Sequence, residues 1–215
     1  NDELRPGRGK LRVGWRYVRP RRGPWSLSVN QGGGFFNSSP AHTRPNMQLY
    51  MQAFSTLIPK VGERPLLTPD PFSGFSLGLS NCRPNSRGTI EIQSADPLQH
   101  PRIVPNAYST DEDIAEMLDA VKFLRKIAAQ KPLADVIAEE LRPGPTCVSD
   151  DDLIADIRQR SGTVYHPSCT CRMGPMAKDS VVDPHLRVHG IENLRVCDAS
   201  VFPSLIAGNT NGPAM

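Results

Sequence analysis

The stretch from Asp111 to Gln130 constrains the fold most. Thr110 precedes it as a helix N-cap, Asp111, Glu112 and Asp113 fill the first turn, and Lys122, Arg125 and Lys126 lie towards the end. These charges complement the helix dipole at both ends. Ile114, Met117, Leu118, Val121, Leu124 and Ile127 recur at helical spacing and define one apolar face. A helix with a single apolar face needs a second layer to cover it. Short strand-like segments are available for that layer. Residues 26–58 read as two strands around a loop, with Gly32, Gly33 and Gly34 at a bulge or at a close backbone approach. Residues 88–94, GTIEIQS, alternate like a half-buried strand, and the next twelve, ADPLQHPRIVPN, read as turn. Prolines at 59, 65, 69 and 71 make residues 59–75 a long surface loop. A second helix, capped by Ser149, runs from Asp150 to Arg160. Beyond it, TVYHP reads as a brief strand and NLRVCDASVFP as a strand entering a turn of small residues. No internal repeat is visible.

Composition narrows the class. With 38% hydrophobic residues the chain can bury a core. No run reaches the roughly 18 apolar residues that a membrane helix needs. The opening NDELRPGRGK lacks the apolar stretch of a signal peptide, so a cytoplasmic location is expected. Five cysteines at scattered spacings are a poor disulfide framework and suggest reduced thiols. Residues 1–25 hold eight basic and two acidic side chains. Trp15, Tyr17 and Trp25 are interleaved there with Leu11, Val13 and Val18, as on an element that packs against something. Without a recognised module, this excess reads as a solvated face and not as a nucleic-acid site.

Four segments could carry chemistry. The first, His166-Pro167-Ser168-Cys169-Thr170-Cys171-Arg172-Met173-Gly174, offers thiols and an imidazole, with His185 and His189 further on. A CxC pair with no second cluster is weak zinc spacing, and two small buried thiols fit it better. Gly74-Phe75-Ser76-Leu77-Gly78 matches a nucleophile elbow, with Asp183 and His189 following in triad order. The elbow needs a helix after its serine, and LSNCRPNSRG cannot be one. Asn193 to Ser200 ends an apolar run in an acid and small residues, as at a dinucleotide-binding sheet edge or as an ordinary strand with an exposed aspartate. The tail, Gly208 to Met215, is a polar loop entering a helix, with Pro213 suited to the first helical position.

In their order, YHPSCTCRMG, VVDPHLRVHGIENLRVCDASVFPS and GNTNGPAM resemble the C-terminal half of the glucose-methanol-choline oxidoreductases, in their choline dehydrogenase-like branch. SRGTIEIQSADPLQHPRI and the helix from Asp111 fit the same order upstream. The resemblance implies an α+β fold: an antiparallel-sheet substrate-binding domain flanked by helices, with a C-terminal segment returning to a Rossmann-like FAD-binding domain. It implies the boundaries 1–25 (basic connecting segment), 26–184 (substrate-binding domain) and 185–215 (completion of the FAD-binding domain, cut before its last helix). Partners would be an alcohol substrate and the N-terminal FAD-binding half, with neither nucleic acid nor a membrane span.

Carried over by position, His166 is the catalytic histidine facing the flavin. An imidazole can accept a hydroxyl proton at neutral pH while hydride leaves carbon. Asn209 matches the second catalytic position, where an amide can hydrogen-bond the alcohol but cannot take its proton. Asp198, Ala199, Asn209, Thr210 and Asn211 match FAD-contacting positions. Gln31 and Tyr165 are the candidate substrate contacts. A neutral Gln31 disfavours a buried cationic alcohol such as choline, whereas Tyr165 could wall a cation. The resemblance gives Cys169 and Cys171 no metal and gives Arg172 a part in fixing the segment. It implies an FAD-dependent alcohol dehydrogenase or oxidase, inactive without the other half; a non-catalytic chain of the same fold is the alternative.

Overall fold

The structure is a computed structural model that describes residues 7–56 and 69–215. In chain order it contains helix α1 (Arg8–Val18), a 3-10 turn (Pro24–Ser26), and strands β1 (Gly32–Phe36), β2 (Met47–Gln52) and β3 (Ser76–Asn81). Then come β4 (Thr89–Glu91), β5 (Arg102–Val104), and helices α2 (Asp111–Ala128), α3 (Lys131–Ala134) and α4 (Asp150–Arg160). A 3-10 turn (Ala199–Val201) and the short α5 (Asn211–Ala214) complete it. Helices and antiparallel pairs make the fold α+β. Two compact units form, one from residues 1–80 and 116–162, the other from residues 81–115 and 163–215.

The first unit holds a three-stranded sheet ordered β1-β2-β3. β1 and β2 pair antiparallel, with Gly33 opposite Tyr50 and Phe36 opposite Met47. The glycine run pairs residue for residue with β2 and forms no bulge. A Cβ on Gly33 would lie 2.3 Å from the Leu49 carbonyl oxygen, so the close approach that needs glycine is to the neighbouring strand. The connection is stapled by buried Asn46, whose carbonyl accepts from Ser38 N–H (2.9 Å) and whose amide donates to Ser38 Oγ (2.9 Å). Phe36 stacks on Phe123 of α2 at 4.7 Å between ring centroids.

Helix α2 begins with the expected cap, Thr110 Oγ1 accepting from Asp113 N–H (3.3 Å). Ile114, Met117 and Leu118 are buried as expected, whereas Val121, Leu124 and Ile127 are half-buried. Arg125 closes the loop after the helix. It pairs with both oxygens of Glu140 (3.1 and 3.0 Å) and donates to the carbonyls of Cys147 (2.8 Å) and Gly144 (3.1 Å). Helix α4 matches its expected bounds, and Ser149 Oγ accepts from Asp152 N–H (3.1 Å). In α1 the expected packing is met in part, Tyr17 meeting Trp25 edge-on at 6.4 Å between ring centroids. Among its described residues only Val13 is buried, and Leu11, Trp15 and Val18 face outwards.

In the second unit the half-buried strand expected at 88–94 is shorter, and all three residues of β4 are exposed. Its partner β5 lies inside the stretch read as turn. A two-stranded ribbon has no third layer against which one face must be buried, so alternation does not mark burial here. TVYHP is a turn and not a strand, because Tyr165 adopts a left-handed φ of 60°. The strand expected at 193–199 is reduced to one bridge, Arg187 to Arg195, before the 3-10 turn. Pro213 is the third residue of α5 and not the first. Of the proline-rich loop, residues 59–68 lie outside the described residues; Pro69 bridges to Thr56.

A Gly33→Ala substitution should break the β1–β2 register at Tyr50. We expect a loss of about 2 kcal/mol or more, read as a fall in the melting temperature of the purified protein; an unchanged value would show that β2 yields to the added methyl.

Candidate functional site

The second unit brings His166 and Thr210 together, with Asn209 adjacent in sequence to Thr210. His166 is half-buried, and its Nδ1 lies 3.3 Å from Oγ1 of Thr210, a buried residue. Asn209 is exposed. Among the described residues, neither Nε2 of His166 nor the Asn209 amide has a hydrogen-bond partner. One ring nitrogen is therefore engaged and the other is open.

What fixes His166 is a run of backbone bonds between two motifs far apart in sequence. Cys169 N–H donates to the Ala199 carbonyl (3.3 Å), Cys171 to Ser200 (2.9 Å) and Met173 to Val201 (2.8 Å). Alternate residues from Cys169 to Met173 thus bond the turn that follows Asp198. Asp198 caps that turn by accepting from Ser200 N–H (2.8 Å). Bonding to the Ser200 side chain and then its N–H holds the Asp198 carboxyl below the ordinary carboxylate range. The run continues as Gly174 N–H bonds the Val182 carbonyl (2.9 Å) and Val181 N–H bonds that of Arg172 (2.9 Å). Arg172 does fix this segment, its Nε donating to the Asp179 carbonyl (2.7 Å). His189 lies 3.1 Å from both Ser180 Oγ and the Gly174 carbonyl, and Ser180 Oγ donates to that same carbonyl (3.0 Å). A Cβ on Gly174 would meet that of Ser180 at 2.9 Å, so only glycine allows the crossing.

Two left-handed residues aim the segment. Tyr165 (φ 60°) stands before His166 and Cys169 (φ 71°) three places after it. Such backbone costs a non-glycine residue about 1–2 kcal/mol, which the paired backbone on either side offsets. Cys169 and Cys171 are half-buried where full burial was expected. Asp183 and His189 are occupied elsewhere than in a triad. Asp183 accepts from the N–H groups of His185 (2.8 Å) and Arg187 (3.0 Å) and pairs with the Arg187 guanidinium (2.8 and 2.7 Å). Burial opposes ionisation of Asp183, but these bonds outweigh it and hold the carboxyl at about 2. Ser76 opens β3, so no helix follows the GxSxG serine.

Gln31 belongs to the first unit. Its side-chain amide is already engaged, the oxygen accepting from Ala53 N–H (2.6 Å) and Nε2 donating to the Ser28 carbonyl (2.6 Å), which leaves one N–H. Tyr165 is 66% exposed. Asn211 is the first residue of α5 and, like Asp198, is exposed; Ala199 is half-buried. Sequence reasoning missed Ser180, His189 and Thr210 as partners within this network. Only the backbone path, not spacing, brings them to it.

Comparison with known proteins agrees with this geometry. The family model described as GMC oxidoreductase matches residues 84–215. The chain is 42% identical over 201 residues to an alcohol dehydrogenase [acceptor] of Pseudomonas putida, covering 93% of this chain and 35% of that protein. It is 36% identical over 207 residues to the mitochondrial choline dehydrogenase of Homo sapiens, covering 96% of this chain and 34% of that protein. A formate oxidase structure from Aspergillus oryzae superposes with a TM-score of 0.85 at 25% identity, over 98% of this chain and 40% of the other. With its matched motifs held in one unit, the chain belongs to the GMC oxidoreductase family. It spans about a third of the length of the curated relatives it matches.

Two measurements check the local geometry. At Cys169, glycine should be more stable than alanine by about 1 kcal/mol, the reverse of the usual order, because the left-handed φ penalises any Cβ; melting of Cys169→Gly beside Cys169→Ala reads the sign. For Asp183 the folded pKa is depressed, so its contribution is present above 3.8 and lost as pH falls towards about 2. The melting difference between the parent protein and Asp183→Asn should therefore close across that interval.

Proposed function

We propose that the chain is the substrate-binding and catalytic C-terminal portion of an FAD-dependent alcohol dehydrogenase or oxidase, with His166 as base. The observation that supports this best is the His166 imidazole, with Nδ1 engaged by Thr210, Nε2 without a partner among the described residues, and Asn209 next to Thr210 in the chain. A base needs its lone pair accessible, and an alkoxide needs a neutral donor nearby that does not compete for the proton.

The residues present fit a flavin. Asp198 and Ala199 form a capped turn bonded to the His166 segment, and Asn209, Thr210 and Asn211 follow on the same unit, so contacts to one cofactor would share one frame. FAD, when bound, supplies a hydride acceptor; most of its contacts would come from an N-terminal half. The chain's own residues would do the rest. His166 Nε2 takes the alcohol proton, the Asn209 amide steadies the oxygen, and the turn at Tyr165 keeps the imidazole aimed. Gln31 and Tyr165 would contact the substrate, Gln31 through its one remaining N–H. Because that amide carries no charge, a neutral primary or secondary alcohol suits it better than choline. We assign residues 26–184 to the substrate-binding domain and 185–215 to completing the FAD-binding domain, after a basic connecting segment at 1–25. The five free thiols suit a reducing cytoplasm. No described helix is long and apolar enough to cross a membrane.

In the full-length flavoprotein, His166→Ala should lower the rate of flavin reduction by alcohol at least about 100-fold, the size of a lost general base. Bleaching of the flavin absorbance under anaerobic alcohol measures it, and a near-normal rate would remove His166 from the mechanism. A flavoprotein that binds alcohol yet never bleaches would favour a non-catalytic chain of the same fold.

A further inference from the structure

We infer that Thr210 is a positioning residue that sets the tautomer of His166 and so decides which ring nitrogen can act as base. The inference rests on the proposed role of His166. Oγ1 of Thr210 lies 3.3 Å from Nδ1, the residue is 9% exposed, and its hydroxyl makes no capping bond to α5. Its backbone carbonyl accepts from Ala214 N–H (3.1 Å), which ties the residue to the first turn of that helix. Nδ1 is therefore engaged, and Nε2 is the nitrogen without a partner among the described residues.

The direction of the bond follows from what Nε2 must do. A neutral imidazole carries one proton, and the unprotonated nitrogen is the acceptor. If the Thr210 hydroxyl donated to Nδ1, the proton would sit on Nε2, and the accessible nitrogen could not accept another. With Nδ1–H donating to Oγ1, the lone pair lies on Nε2. The alcohol proton then passes to Nε2 while hydride leaves carbon, and the Nδ1–H···Oγ1 bond persists in the imidazolium. Which nitrogen carries the proton is set by the bond the other nitrogen makes, and here threonine stands where other proteins use a carboxylate or a backbone carbonyl. Threonine is neutral, so it orients the ring without placing an anion beside the bound alcohol.

Nitrogen-15 NMR of the histidine-labelled full-length flavoprotein tests this without relying on turnover. In the parent protein Nδ1 of His166 should resonate as protonated and Nε2 as unprotonated. Thr210→Val keeps the shape and removes the hydroxyl; it should average the two signals and lower kcat about tenfold, the worth of one neutral hydrogen bond, with KM little changed. Thr210→Ser should restore both the spectrum and kcat. An unprotonated Nδ1 in the parent overturns the inference, as does a Thr210→Val protein with parental spectrum and rate. If that occurs while His166→Ala is inactive, only the role of Thr210 fails; if His166→Ala reduces flavin normally, the reading of His166 fails with it.

Discussion

The second unit depends on the backbone bonds between residues 169–173 and 199–201. The first segment is irregular and the second is a single 3-10 turn, so neither satisfies all of its own N–H and C=O groups. Each supplies what the other lacks: three alternate N–H groups of the first reach three consecutive carbonyls of the second. The carbonyls can be consecutive because the second segment is a 3-10 turn, in which successive carbonyls point to the same end, whereas in an extended strand only alternate ones share a side. His166 precedes this seam and Thr210 follows it, so the 3.3 Å approach of their side chains is set by backbone pairing between them. The left-handed residues at 165 and 169 fit the same logic, since a seam of three bonds can hold conformations that isolated residues would leave.

A buried carboxylate does comparable work where α2 begins. Asp113 is 1% exposed, and burial alone would raise its pKa, yet the Ser86 hydroxyl and the N–H groups of Asn85 (2.7 Å) and Ser86 (2.8 Å) bind it so fully that it is lowered. The charge ties the chain entering β4 to the first turn of the helix, where the dipole also favours it. In the first unit, Arg125 binds one carboxylate and two carbonyls near the other end of the same helix. Removing one partner of such a group would leave a desolvated charge, which costs more than the pair contributes.

Chemically, the proposed site is economical. In it, one imidazole would take the proton, one amide would steady the oxygen, and one hydroxyl would orient the imidazole. Relatives named for alcohol and choline are 42% identical over 201 residues and 36% identical over 207 residues to this chain. In the proposed reading, discrimination among alcohols would lie in residues such as Gln31, outside the seam. Gln31 also closes the ends of β1 and β2, so altering its side chain changes the packing there.

The sequence by itself determined the elements whose signals are local. Thr110 and Ser149 cap helices where they were read to, the charges of α2 sit at the expected ends, and β1 and β2 flank their loop. It also determined the family, because HPSCTCRMG, DASV and GNTN occur in order. Tertiary structure decided what each residue touches. Of the three glycines at 32–34, Gly33 is the one that lets the neighbouring strand approach, β4 has no buried face, and Cys169 and Cys171 contribute their backbone N–H groups. That Thr210 meets His166 across 44 residues could not be read from spacing. Caps and periodicity act over one or two turns and are written in neighbouring residues, whereas the seam joins groups whose only relation is the path of the backbone between them.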